Sequence, residues 1–150
     1  MLALKKSEWA ILFGLLVLSL VPCLGGLIRL FELGGDIHVM PLNPRALASP
    51  LPVIMHIVCI VPYCLLGIFQ FLPTVRTQCP RWHRTSGRVV VIAGIGSALS
   101  GLWMTQFYAF PEELQGTLLY SVRWFVGLAM VGCIWLGLRA VMRRHIFVHK

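Results

Sequence analysis

Two ionisable side chains sit inside long apolar stretches of this chain, where charge is costly. His56 lies six residues into the run Leu51–Leu72, and Arg123 seven residues into the run Thr117–Val141. At ~1.5 Å rise per helical residue, both fall roughly 8–9 Å from the midplane of a membrane-length segment, at matching depth. Intramembrane ionisable groups are functional candidates by default. Arg29 and Gln106 lie a little further out on the two remaining runs, so four segments can each send one polar group to the same outer layer. No carboxylate lies within the runs at that depth.

Two potential cations without an internal counter-charge suit an anionic or acceptor-rich ligand. A haem propionate or a quinone carbonyl would accept from Arg123, while His56 could be an axial ligand or a hydrogen-bond donor. Simpler readings stand beside these. Arg123 can snorkel outward, His56 can bond a carbonyl freed by a helix kink, or Glu32, Glu112 and Glu113 can fold back as partners. His83, in the basic stretch Pro73–Arg88, could ligate a metal or haem, or simply lie in the interface.

The elements that hold these residues follow from composition. Of 150 residues 58% are hydrophobic and 12% charged, about half the ~25% of a soluble domain. With a mean hydropathy of +0.83, the outer surface must face something other than water. Four stretches reach the ~20 apolar residues that cross a ~30 Å hydrocarbon core: Trp9–Leu30, Leu51–Leu72, Val89–Tyr108 and Thr117–Val141. They are continuous rather than alternating, which excludes barrel strands. The expectation is a single all-α domain over 1–150, a transmembrane four-helix bundle. The first run follows Lys5-Lys6 but is too long for a signal-peptide core and lacks an A-x-A site, so it reads as an uncleaved anchor.

Ten basic residues, Lys5, Lys6, Arg76, Arg81, Arg84, Arg88, Arg139, Arg143, Arg144 and Lys150, fall on one side of this topology. The opposite loops carry Arg29 and Arg45 with Glu32, Asp36, Glu112 and Glu113. The positive-inside rule then puts both termini and the 73–88 loop in the cytoplasm. That loop reads as a basic, proline-bounded turn at anionic headgroups. The 31–50 loop is Gly/Pro-rich, and Pro22 and Pro62 should kink the first two helices. Small residues at spacing four, Ala93-Ser97-Gly101 on the third run and Ala129-Cys133-Gly137 on the fourth, predict a tight antiparallel pair between those two helices. The tryptophans lie mostly near run ends, as an interfacial belt does. Five cysteines with no CxxC pair imply neither a disulfide framework nor a zinc site.

A histidine early in the second helix, then Gly67-x-x-Gln70-Phe71-x-Pro73-x-x-Arg76 and Pro80-x-x-His83-Arg84-x-x-Gly87-Arg88, resembles a family of bacterial predicted membrane proteins, domain-of-unknown-function family 2306. The terminal Ile146-x-x-His149-Lys150 is similar to the start of that family's next motif, His-Arg/Lys-x-Trp-Met-x-Arg. The resemblance covers residues 50 to 150 or so, and its His-Arg-x-x-Gly-Arg element is the most specific part. Members continue into further helices, so the end at Lys150 implies a shortened member or a truncated product. The resemblance implies a bacterial inner-membrane location and points to His56, His83 and His149, but it implies no reaction.

Three function classes follow. The first is a redox module holding haem b or a quinone, with His56, Arg123, His83, His149 and Arg29 as cofactor-binding candidates. A single haem cannot bridge His56 and His83, which lie on opposite sides. The second is a non-enzymatic subunit or assembly factor, its partners the lipid bilayer, other membrane subunits or further copies of itself. Transport, third, lacks an embedded carboxylate or an internal repeat. Hydrolysis lacks an acid–base pair or an HExxH spacing, leaving enzymatic activity open. The net charge of +8 does not imply nucleic-acid binding, because the basic residues flank apolar runs. The membrane reading predicts a chain extracted only by detergent; recovery of a folded species from the aqueous fraction would overturn it.

Overall fold

The computed structural model describes residues 4–35, 39–111 and 116–147, with side chains described as far as residue 143. All its regular elements are helices: α1 (Lys6–Gly34), α2 (Pro44–Ala48), α3 (Pro50–Gln70), α4 (Pro73–Gln78), α5 (Pro80–Phe107) and α6 (Thr117–Phe147). Four of them, α1, α3, α5 and α6, are long and apolar enough to cross a membrane. Exposed Leu18, Val21, Ile92, Leu118 and Phe125 ring the outside, as a lipid-solvated protein requires.

Proline decides where most of these helices begin. Pro44, Pro50, Pro73 and Pro80 each stand at a first helical position, where the missing N–H would have no partner anyway. This corrects the expectation for the 73–88 stretch. It is not a turn: residues 73–78 form α4, and 80–88 are the first two turns of α5. Proline does bound the segments here, but by starting both helices. The 31–50 loop likewise holds α2, whose N-cap Asn43 accepts from the Ala46 amide at 3.3 Å. Pro22 and Pro62 stay inside α1 and α3, where neither can donate a backbone bond.

The extensive helix pairings run in chain order, α1 on α3, α3 on α5 and α5 on α6. Antiparallel register is set by close approaches: Gly26 meets Ile57, Gly96 meets Cys59, Gly101 meets His56, and Gly127 meets Leu102. A Cβ on Gly96 would stand 2.6 Å from Cys59 Sγ, and one on Gly127 2.6 Å from Leu102 Cδ2. The expected small-residue pairing is therefore redistributed. Ser97 and Gly101 of α5 turn toward α3, and α3–α5 is the dominant contact. On α6 the face that meets α5 is Arg123, Gly127, Met130 and Ile134. Ala129 and Cys133 are exposed, and nothing lies within 4 Å of where a Gly137 Cβ would be. The α6 face that packs on α5 offers a single hole at Gly127, and the large Leu102 side chain of α5 fills it.

A buried carboxylate fixes each end of α1. At the start, Glu8 accepts from the Lys5 amide at 2.9 Å and from both the amide and hydroxyl of Thr74 at 2.7 Å. It thereby caps α4 from a distant helix, satisfying the Thr74 amide at the α4 N-terminus. At the far end, Glu32 pairs with Arg29 at 2.8 Å and accepts from the amides of Val39 and Met40. All five cysteines are free thiols.

Gly96→Val should overpack the α3–α5 seam and cost about 1–3 kcal/mol. Gly137→Val, in open space, should stay within about 0.5 kcal/mol. Thermal unfolding of both variants in the same detergent checks the pairing; equal loss of stability would show that α3 and α5 do not meet at Gly96.

Candidate functional site

His56 sits on α3 two turns from its start, half-buried against α5. Its Nδ1 lies 2.9 Å from the Ser97 carbonyl oxygen and 3.2 Å from Ser100 Oγ. A carbonyl can only accept, so Nδ1 carries the proton and the neutral ring keeps a lone pair on Nε2. Ser100 Oγ also lies 2.7 Å from the Gly96 carbonyl and 3.0 Å from that of Ser97, so its hydroxyl proton stays within α5. The carbonyl that His56 uses is an ordinary helical one taking a second donor, and not one freed by a proline kink.

His56 and Arg123, matched in depth by sequence, line one cleft of about 570 Å3 between α3, α5 and α6. That volume falls within the ~300–1,000 Å3 of small-molecule and cofactor pockets. Its walls are mostly apolar, with Val53, Ile60, Leu102, Val122 and Val126 among them. Met104 and Met130 add two thioethers.

The mouth joins Arg123 to Arg45 and Phe110, neither of which the sequence marks as a site residue. Phe110, just beyond α5, lies under two guanidiniums: Arg123 at 4.4 Å and Arg45 of α2 at 4.5 Å from the ring centroid. Cation–π attraction of this kind helps to hold both side chains in place. Arg45 Nε donates to Asn43 Oδ1 at 3.2 Å, and its Nη1 is buried with no hydrogen-bond partner among the described residues. No described carboxylate lines the cleft. Tyr108 ties this end together, its hydroxyl donating to the Ser49 carbonyl at 2.6 Å. Arg45 and Phe110 belong to loop segments with no periodicity to assign them a face. Only the Asn43-Pro44 cap signal ahead of Arg45 could have marked a short helix there.

The other candidates lie elsewhere. Arg29 does not join the cleft, because its guanidinium serves Glu32 and donates to the Pro41 carbonyl at 3.2 Å. Glu32 is thus held at α1, with its carboxylate on the 39–40 amides. Gln106 accepts from the Tyr120 hydroxyl at 2.7 Å, outside the cleft lining. His83 stands in the first turns of α5, at the opposite, basic end of the molecule. His149, Glu112 and Glu113 lie outside the described residues.

A family model described as predicted membrane protein (DUF2306) matches residues 53–150. The chain belongs to this family. No curated protein and no solved structure matches it. Both structural anchors of the cleft on α3 and α5, His56 and Ser97, fall within the matched span of this DUF2306 protein, as do Phe110 and Arg123. Arg45 lies ahead of it.

Tyr108→Phe removes one buried hydrogen bond between the start of α3 and the end of α5. It should lower stability by about 0.5–1.5 kcal/mol. Denaturation of the detergent-solubilised variant reads this out, and an unchanged midpoint would remove Tyr108 as a tie.

Proposed function

We propose that this membrane protein is a cofactor-binding module whose cleft takes a b-type haem, with His56 as the axial imidazole. The orientation of His56 carries this reading. Its Nδ1–H is committed to a backbone carbonyl and its ring lines the cleft, leaving Nε2 as the free lone pair. Metal-bound histidines take this arrangement, since the outer-shell acceptor fixes the tautomer and raises ligand basicity. Arg45, whose Nη1 has no partner among the described residues, would donate to a haem propionate through a charge-assisted bond, with Arg123 beside it at the mouth. Met104 and Met130, also in the lining, would add soft thioether donors for a bound haem. Bound haem would supply one-electron chemistry; the chain supplies the ligand, the counter-charges and an apolar wall that excludes water.

A quinol is the competing ligand for the same groups. Nε2 would accept from its hydroxyl, and the guanidiniums would donate to its other oxygen. The absence of a second imidazole from the described lining favours it over a bis-histidine haem.

A non-enzymatic subunit or homo-oligomer is the other reading, favoured by the outward-facing Ala129, Cys133 and Gly137 on α6. We also infer that the ten basic residues face the cytoplasm, with both termini there, in a bacterial inner membrane.

Protein purified from cells supplied with a haem precursor should show a Soret band and, after dithionite reduction, an α band. His56→Ala should abolish both bands. Arg45→Ala combined with Arg123→Ala should weaken haem retention by about tenfold or more, as loss of charged hydrogen bonds predicts. No Soret band after direct haem addition would end the haem reading, and quinone in the organic extract would then support its competitor. A lone, monodisperse monomer in mild detergent would count against the subunit reading. An impermeant maleimide should reach Cys79 in inverted vesicles but not in intact cells; the reverse pattern would invert the topology.

A further inference from the structure

The basic end of the molecule holds a second cleft, independent of the haem reading. Leu4, Phe69, Leu72, Val75, Cys79 and Trp82 enclose about 300 Å3 between the start of the chain, the end of α3, α4 and the first turn of α5. No polar surface lines it. Water in such a space would find none of the 2–4 polar partners it needs, so an apolar occupant is favoured.

The rim has the opposite character. Lys5, Lys6, Arg76, Arg81, Arg84 and Arg88 are all exposed there. They interleave with the walls, Lys5 beside Leu4, Arg76 beside Val75 and Arg81 beside Trp82. Glu8, the carboxylate among the described residues at this end, is buried on Thr74 and turned away from solvent. On α5 beside Trp82, His83 Nδ1 is buried without a hydrogen-bond partner among the described residues, close to Arg76.

A dry apolar slot opening beside a cationic rim fits a molecule with a hydrocarbon chain and an anionic head. We propose that this cleft is a binding site for one anionic phospholipid, its acyl chain in the slot and its phosphate among Arg76, Arg81 and Lys5. A basic belt alone enriches anionic lipids near a protein without retaining any single molecule. The slot changes that, because chain burial adds to charge attraction and ties both to one stoichiometric site.

The test uses the full chain in nanodiscs of equal phosphatidylglycerol and phosphatidylcholine with identical acyl chains, released into native mass spectrometry. One phosphatidylglycerol should stay bound, in at least tenfold preference over phosphatidylcholine. Val75→Trp, which fills the slot, should remove the retained lipid. Should Val75→Trp fail to fold, Arg76→Ala with Arg81→Ala, both exposed, should abolish the preference and the rise in melting temperature on adding phosphatidylglycerol. Equal retention of both lipids, a statistical ladder of several lipids, or unchanged retention in the arginine variant would overturn the proposal.

Discussion

In hydrocarbon, apolar side chains gain nothing by leaving lipid for one another, so helices associate through close backbone approach and the few polar bonds they can make. The α3–α5 seam is where this chain meets that constraint. Gly96 admits Cys59, Gly101 admits the His56 ring, and the ring reaches the Ser97 carbonyl across the gap. The same three features position the imidazole, so the packing of the two central helices and the geometry of the cleft are one arrangement. α1 and α6 attach to either side of this pair, and α5 accordingly has the most buried span, 28% against none for α6.

Charge is handled differently at each location. Glu8 and Glu32 are buried, but each is surrounded by amides or an arginine and so satisfies backbone at a chain reversal. Arg45 and Arg123 instead share an aromatic face, the Phe110 ring, which steadies two cations side by side. That difference separates Arg29, a structural residue of the α1 end, from the two arginines of the candidate site.

Much of this was legible in the residues because lipid imposes such coarse rules. Continuous apolar runs announce spans, and counting residues from a run's end gave His56 and Arg123 equal depth before any contact was known. Depth, however, is one coordinate, and facing direction is another. Ala129-Cys133-Gly137 and the stripe through Gly127 are both plausible seams on α6, and only the Leu102 side chain opposite distinguishes them. Prolines 73 and 80 carried the same ambiguity, since a residue that ends one helix begins the next. Arg45 sits in a one-turn helix and Phe110 in irregular backbone, both too short to carry a period from which a face could be read.

Glu8 and Thr74 are separated by 66 residues yet share two hydrogen bonds. A ribosome therefore delivers the acceptor long before the donors exist. Until residues 73–78 have left the exit tunnel, the carboxylate has only its own first turn to cap, and α1 can still change tilt or depth. Once α4 forms, the start of α1 is tied to the segment that joins α3 to α5. These bonds can close only after both α1 and α3 have been made.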